Sequence, residues 1–250
     1  YEGPKKNAGI GDNAHVLLQN NIEGFKHIDY QANYPRMMMD MRRGKSVCAF
    51  LHYSEERAEY LHFTNTLVVT PSYQLYVNTV TKEHLDTVLQ RDVQSESFGL
   101  ILSNSKNLIL AKTPEHSFGV ERNRVIQEHS HLLNFDNNYS KHSTLIKRLA
   151  GGRAHMTLVL PWVFNYEKKQ LSLNTPLYKI QLNDMPASVE SRVGCSKTPE
   201  GESVINAINT MQPPAHDLLK DVIVDWLTPQ EVTEYRSVYA DFFGVNNHTH

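Results

Sequence analysis

The stretch from Tyr34 to Leu51, YPRMMMDMRRGKSVCAFL, joins a helical pattern directly to a strand pattern. A proline in its first turn, arginines in its last turn and Gly44 after them are typical of the two ends of a helix. The run from Ser46 to Leu51 is typical of a strand that is buried on both faces. A helix followed at once by such a strand is the repeating step of an α/β sheet.

The same alternation continues on both sides of this stretch. A helical pattern over residues 12–21 and a short strand pattern at His27–Tyr30 precede it. After it, the β-prone residues 67–77 contain Pro71, which suits a crossing segment or an edge strand better than a central strand. A second helix–strand series follows, and the pattern after Pro199 is helical. This order of elements indicates that the chain leaves one sheet, builds a second and returns to the first. It therefore predicts two lobes joined by two crossing segments.

The elements of the second series are bounded by turn residues and by changes of hydrophobic period. Gly151 and Gly152 end its last helix, and Pro161 ends its last strand. The sequence predicts helices over 82–89, 117–126 and 142–149, strands over 108–111, 132–135, 154–160 and 191–195, and closing helices over 202–211, 215–227 and 229–243.

The composition favours an ordinary globular protein, for which we expect neither a metal nor another cofactor. Its 250 residues can form one large domain or two small ones. A net charge of -2 and the lack of any basic run longer than two residues argue against binding to nucleic acid. No apolar stretch approaches the ~20 residues that span a bilayer. The histidines and cysteines lack the spacing of a zinc site.

Several phrases, in their order along the chain, resemble one known family. The phrase from His52 to Thr64, HYSEERAEYLHFT, is similar to the family's T-x-T-x-E-R motif with its following Phe and hydroxyl residue. LAGGRAH, at 149–155, resembles its L-x-x-G-R-x-D. Residues 106–111 and 117–119 resemble the strand, loop and helix that open its second lobe. The match, in the order of the elements and in these local phrases, covers nearly the whole chain. The chain resembles a divergent subgroup of the family-3 extracellular solute-binding proteins, which are receptors of polar amino-acid ABC importers.

The resemblance implies the type II periplasmic-binding-protein fold. In this α/β fold, two lobes with mixed, mostly parallel sheets flanked by helices are joined by two crossing segments. Residues 1–78 and 195–250 would form lobe one, and residues 79–194 would form lobe two. A small solute would lie in the cleft between the lobes, which close about a hinge. The expected protein is a monomeric periplasmic receptor, freed of its signal peptide, that delivers its solute to a membrane ABC permease.

Arg57 is the main candidate for ligand binding. The resemblance places it on the family's carboxylate-binding arginine. A guanidinium suits this role because two of its N–H groups can meet both carboxylate oxygens at once. The alternative is a surface ion pair with Glu56 or Glu59.

The other candidates are less specific. Ser117 lies where a hydroxyl and the positive end of a helix would face the cleft, although an ordinary N-cap would explain it equally well. Tyr34 lies where the family often has a stacking aromatic residue, with core packing as the alternative. Phe118 and Trp162 would form walls from lobe two. His52 precedes the E-R phrase at a position where amino-acid receptors carry Ser or Thr.

Two departures from the family change the expected ligand. The second-lobe strand ends at Leu158–Trp162 without the Asp that would hold an α-ammonium group, and the acid of G-R-x-D is His155. Leu or Pro cannot replace the charge-assisted hydrogen bond of a carboxylate. The sequence therefore predicts a solute with an anionic or polar head for Arg57 and an apolar or aromatic body, rather than a standard α-amino acid.

Cys48 and Cys195 have two possible states. They could be two buried thiols, or, if the protein is exported as the resemblance implies, they could form a disulfide. In the second case the bond would fasten a lobe-one strand to the second crossing.

Two other functions stay open. One is a ligand-sensing domain that reports to a signalling partner, and the other is a dehydratase-type enzyme on the same fold. Catalysis would need an acid or base aimed into the cleft. His52, His155 and Glu56 can be nominated, but their spacing supports none of them above a structural role, so the sequence does not predict an enzyme.

Overall fold

The structure, a computed structural model, describes residues 9–30, 32–112, 117–136 and 141–245. In this part of the chain, helices and strands alternate as expected of an α/β protein. The helices are α1 (Ile10–Asn21), α2 (Tyr34–Arg42), α3 (Glu55–Ala58), α4 (Thr79–Leu89), α5 (Phe98–Ser103), α6 (Val120–Glu128), α7 (His142–Ala150), α8 (Pro161–Gln170), α9 (Pro199–Asn209), α10 (Ala215–Leu219) and α11 (Pro229–Phe243). The strands are β1 (Cys48–Leu51), β2 (Leu61–Phe63), β3 (Val68–Pro71), β4 (Gln74–Asn78), β5 (Ser95–Glu96), β6 (Ile109–Ala111), β7 (Asn134–Asp136), β8 (Met156–Val159), β9 (Leu177–Leu182) and β10 (Ser188–Ser196).

The chain divides into two compact units. Unit 1 comprises residues 1–70, 189–225 and 232–250, and unit 2 comprises residues 71–188 and 226–231. The long crossings therefore lie near residues 70 and 188, and the boundaries expected from the sequence lie a few residues further along the chain.

The sheet of unit 1 is built around β10. Strands β1 and β2 pair antiparallel with β10 on either side, and β3 pairs with it as well. The expected mostly parallel pairing is therefore not found in these two ladders, because β10 returns from unit 2 and runs against β1 and β2. Cys48 pairs in register with Cys195, and a disulfide joins them across 147 positions of sequence.

Strand β1 is less completely buried than its composition indicated. In the described sheet it is an edge strand, with Cys48 exposed and Phe50 half-buried. Its apolar residues nevertheless pack against helices on both faces, as the pattern predicts. Ala49 and Leu51 pack with Met41 of α2 on one face, and Phe50 packs against the cluster formed by α1 and α9 on the other. The predicted strand at His27–Tyr30 is absent, and these residues have no ladder partner in the described chain.

Unit 2 contains a six-stranded mixed sheet. Its strand order is β5-β9-β4-β8-β6-β7. The pairs β5–β9, β6–β7 and β6–β8 are parallel, whereas β4 pairs antiparallel with β8 and β9. Side chains from the central strands are fully buried, including those of Leu75, Val77, Leu110 and Met156. Tyr76 stacks on Phe164 of α8 at a ring-centroid distance of 3.7 Å.

Several helices and strands begin or end at residues other than the predicted ones. In one case the reason is that proline can follow a strand and also begin a helix. Pro161 ends β8, as expected, but it also begins helix α8, which the sequence analysis missed; a proline fits the first helical turn. The β-prone residues 67–77 form two strands, β3 and β4. The predicted helix over 215–227 stops at Leu219. Among the described helices, none is both long enough and apolar enough to cross a membrane.

The segment Trp226–Glu231 is a short excursion of the chain into unit 2. The Trp226 ring lies 4.6 Å from that of Tyr166 on α8. The Asn165 side chain donates to the carboxylate of Glu231 at 2.7 Å. Glu231 is buried and also accepts from the backbone N–H of Thr228. This excursion was not expected from the sequence, which predicted that the closing helices all belong to lobe one.

Candidate functional site

Arg57 lies in α3, the short helix that follows β1. The Ser54 hydroxyl caps this helix by accepting from the Arg57 backbone N–H at 3.3 Å. The guanidinium donates to the carbonyl oxygen of His52 at 2.6 Å and to the hydroxyl of Tyr34 at 2.6 Å. Both acceptors are neutral, so they fix the orientation of the guanidinium without neutralising its charge.

The ion pairs that would make Arg57 an ordinary surface residue do not form. Glu56 pairs with Arg42 instead, at 2.6 Å, and both of these side chains are largely exposed. Within the described ranges, neither Glu59 nor any other carboxylate lies within ion-pair distance of the Arg57 guanidinium. The positive charge of Arg57 is therefore unbalanced in the described part of unit 1.

His52 supports Arg57 through its backbone and is held through its ring. Its Nδ1 lies 2.8 Å from the carbonyl oxygen of Glu190, so Nδ1 carries the proton and donates. Burial lowers the pKa of His52, and the positive charge of Arg57 acts in the same direction. A neutral imidazole at neutral pH follows, and it adds no second positive charge beside Arg57.

A second arginine on the neighbouring strand shows a contrasting arrangement. Arg192 of β10 pairs with Glu190 at 3.2 Å, and its guanidinium lies 5.0 Å from the centre of the Tyr53 ring. The same Glu190 carboxylate accepts from the Thr66 hydroxyl at 2.5 Å. Arg192 is thus compensated by an acid, whereas Arg57 is not.

In unit 2, Ser117 lies in the loop before α6. Its hydroxyl oxygen accepts from the side-chain amide of Asn123 at 2.8 Å and from the backbone N–H of Gly119 at 3.2 Å. The N-cap of α6 is Gly119, whose φ of 93° favours glycine, and it provides no side chain to cap the helix. Ser117 therefore shapes the loop and is not the N-cap.

Phe118 is buried in unit 2. Only 2% of its surface is exposed, and its ring meets the Tyr73 ring edge to face at a centroid distance of 5.3 Å. The described conformation gives Phe118 a packing role within the unit. A contact with a solute would require this pair of rings to separate.

Trp162 is the second residue of α8. Its indole Nε1 is shielded from solvent, yet it has no hydrogen-bond partner in the described part of the chain. A buried donor without a partner costs about 1–3 kcal/mol. No side chain caps the start of α8 either, and its N-cap is Leu160. The indole N–H is therefore a buried donor without a partner among the described residues.

The candidates form one group in unit 1 and two separate features in unit 2. The direct contacts above bring Arg57, His52 and Tyr34 together in unit 1. Ser117 and Phe118 share the loop before α6, and Trp162 begins another helix of the same unit. The sequence analysis missed Ser54, although a Ser followed by acidic residues is the ordinary signal of an N-cap.

Unit 1 also contains a cavity of about 1030 Å³ beside β1. It is lined by residues of α1, β1, α9 and the segment 24–30, among them His15, Leu18, Phe25, Val47, Cys48 and Ile208. Neither Arg57 nor Tyr34 lines it, so it is distinct from the Arg57 group. The described residues contain no cluster of side chains that could hold a metal ion.

Comparison with known proteins supports the fold through structure and not through sequence. No protein-family model matches the chain, and no curated protein matches it. Many solved structures do match. The amino-acid ABC transporter substrate-binding protein AbpA from Streptococcus pneumoniae, bound to L-arginine, matches with a TM-score of 0.60 and 13% identity, over 98% of this chain and 87% of that chain.

The chain has the type II periplasmic-binding-protein fold. Two further matches show that this fold is shared by proteins of different kinds. The periplasmic VFT2 domain of BvgS from Bordetella pertussis has a TM-score of 0.61 and 15% identity, over 88% of this chain and 83% of that domain. The ancestral amino-acid-binding protein AncCDT-1, a precursor of cyclohexadienyl dehydratase, has a TM-score of 0.59 and 13% identity, over 96% of this chain and 88% of that chain. Identities this low establish the fold alone.

Proposed function

We propose that this protein is a solute-binding receptor that captures a small molecule with an anionic group and delivers it to an ABC importer. The observation that carries the proposal is the state of Arg57. Its guanidinium is oriented by the Tyr34 hydroxyl and the His52 carbonyl, and it has no acid partner in the described chain. A planar guanidinium held in this way is suited to a carboxylate, which it can meet with two parallel hydrogen bonds.

Features of unit 2 support a ligand that is not a standard α-amino acid. Strand β8 ends at Val159, and α8 begins with Pro161 and Trp162, so this strand end has no carboxylate for an ammonium group. The unpartnered indole N–H of Trp162 suits a polar acceptor atom, and its ring suits an apolar or aromatic body. The proposed solute therefore carries an acid at one end and an apolar body.

The proposed mechanism is closure of two lobes on the solute. Units 1 and 2 would be these lobes, and the crossings near residues 70 and 188 would contain the hinge. The receptor would act in the periplasm or outside the cell as a monomer and would meet an ABC permease. It would carry out no reaction on the solute.

Isothermal titration calorimetry tests the ligand class and the site together. The probes are the twenty amino acids and three simple carboxylates, namely acetate, benzoate and phenylacetate. We expect the aromatic carboxylates to bind best. Arg57→Gln should weaken their binding about 10-fold to 100-fold, because a hydrogen bond to a charged group contributes about 1.5–3 kcal/mol.

Arg42→Gln is the matched control, since Arg42 is an exposed arginine of unit 1 that already pairs with Glu56. It should leave the dissociation constant unchanged. Tight binding of a standard amino acid would refute the proposed ligand class. Equal affinity of Arg57→Gln and the unmodified protein would refute the proposed site.

A sensing role is the second candidate, and the match to the periplasmic BvgS domain favours keeping it. The genes beside this one separate the two roles, since a permease and an ATPase favour import, whereas a kinase or a cyclase favours sensing.

An enzymatic role has less support. The His52 ring is bonded to a backbone carbonyl, Glu56 is paired with Arg42, and Nδ1 of His155 accepts from the Ile109 N–H at 3.0 Å.

A further inference from the structure

Arg122, on the first turn of α6, is a buried cation that forms no ion pair among the described residues, although the charge of Asp184 acts on it. Only 3% of its surface is exposed. In the described residues no carboxylate forms an ion pair with it, and its Nε has no hydrogen-bond partner. Taking an unpaired charge out of water is costly, so a residue of this kind calls for a specific reason.

The contacts of Arg122 are concentrated on one nitrogen. Its Nη2 donates to the hydroxyl of Ser72, and the same nitrogen donates to the carbonyl oxygen of Pro186 at 3.0 Å. The guanidinium also lies 5.8 Å from the centre of the Tyr73 ring. Each of these contacts lies within unit 2.

The two acceptors of Arg122 have a particular position in the chain. Ser72 follows the first crossing, since unit 2 begins at Pro71, and Pro186 precedes the second crossing, since this part of unit 2 ends at Ser188. The two crossing strands are also bonded to each other here, where the Ser72 N–H donates to the carbonyl oxygen of Ala187 at 2.9 Å. A single side chain of α6 therefore bonds to both crossing segments. One contact lies just after the chain enters unit 2, and the other lies just before the chain leaves it.

We propose that Arg122 is a positioning residue of the hinge, which fixes the two crossing strands to α6 and so limits the angles that the two units can adopt. The loop that holds Ser117 and Phe118 leads directly into α6. Arg122 therefore also couples the hinge to the loop whose residues the sequence analysis predicted to face the ligand. Only this second role rests on the proposed function.

Distances between two spin labels, measured by double electron–electron resonance without any ligand, test the hinge role. One label is attached at Asn206→Cys in α9 of unit 1 and the other at Glu83→Cys in α4 of unit 2; both positions are exposed. Cys48 and Cys195 are joined to each other and do not react with the label. Arg122→Met should broaden the distribution of distances, because both crossing strands lose their donor.

Two further variants distinguish positioning from a general loss of stability. Arg122→Lys should restore the narrow distribution, because one ammonium group can replace a single nitrogen that donates twice. Arg124→Met removes an exposed arginine of the same helix, which pairs with Glu121 and Glu128, and should leave the distribution unchanged.

The proposal is refuted if Arg122→Met, shown to be folded by circular dichroism, gives the same distribution as the unmodified protein. It is equally refuted if Arg122→Lys is as broad as Arg122→Met. Should Arg122→Met fail to fold, Ser72→Ala removes one acceptor only, and an unchanged distribution in that variant refutes the proposal. None of these results depends on a solute, so the solute-binding proposal stands or falls separately.

Discussion

In unit 1 the edge strand β1 is fastened to β10 by a disulfide, whereas the six-stranded sheet of unit 2 contains no cysteine and relies on fully buried side chains. The two units also treat their unpaired arginines differently. Arg57 of unit 1 is half-buried and held by neutral acceptors, and Arg122 of unit 2 is almost fully buried. Under the two proposals, the same residue type serves ligand capture where it is accessible and chain positioning where it is not.

The largest expected effect concerns the packing of unit 2. Phe164→Ala removes the ring that stacks on Tyr76 and leaves a cavity against α7. We expect the free energy of unfolding to fall by about 3–5 kcal/mol. Urea denaturation measures this loss, and hydrogen exchange should locate it in unit 2.

Phe50→Ala in unit 1 is the matched control for this prediction. Phe50 is only half-buried, so its removal should cost less. A larger loss for Phe50→Ala than for Phe164→Ala would reverse the comparison between the units.

The next effect concerns the disulfide of unit 1. Cys48→Ala combined with Cys195→Ala should lower the free energy of unfolding by about 2–5 kcal/mol, because the cross-link restricts the unfolded chain. Urea denaturation with and without a reductant provides the measurement. The reductant should destabilise the unmodified protein and leave the double variant unaffected.

If the reductant left the denaturation midpoint of the unmodified protein unchanged, the disulfide would not be the fastening of unit 1. Hydrogen exchange under reducing conditions adds a sharper check. Faster exchange should begin in β1 and β10, while the central strands of unit 2 keep their protection.

The smallest effect is a dependence on pH. Burial lowers the pKa of His15 and of His52 in unit 1, and it lowers the pKa of His155 in unit 2. A lowered pKa in the folded state means that the unfolded state binds more protons below the ordinary value of about 6.5. The associated stability is present above that pH and is lost as the pH falls.

We therefore expect acidification from about pH 7.5 to about pH 5.5 to lower the hydrogen-exchange protection factors, which are corrected for the slower intrinsic exchange at low pH, more in unit 1 than in unit 2. His52→Asn should reduce this effect, because an amide N–H can replace the Nδ1–H donor and does not titrate there. An equal response of the two units would show that these histidines do not distinguish them.

The sequence predicted the elements whose local signals agree with one another. Helix α2 has a proline at its start, arginine in its last turn and an apolar face of methionines that packs on the sheet, and each of these features was visible in the sequence. Helix α8 was missed because Pro161 was interpreted as the end of a strand only. Strand β1 was predicted to be fully buried because its residues are apolar on both faces. That pattern does not reveal that one edge of the strand is unpaired in the described sheet, or that Cys48 is exposed.

The candidate site was predictable only in part, because its members are brought together by tertiary contacts. The resemblance pointed to Arg57, but its acceptors, the Tyr34 hydroxyl and the His52 carbonyl, follow from the path of the backbone. Arg122 carried no signal at all. It lies among Glu121, Arg124 and Glu128, a pattern typical of an exposed helix face, and only the structure shows that it is buried.

The bond between Cys48 and Cys195 has a topological consequence for the whole molecule. It closes a covalent ring that spans 147 positions and contains the long continuous segment of unit 2. One proteolytic nick anywhere inside that ring opens it without releasing a fragment. The nicked protein would migrate as one species in a non-reducing gel and as two polypeptides once the sulfur bridge is cleaved.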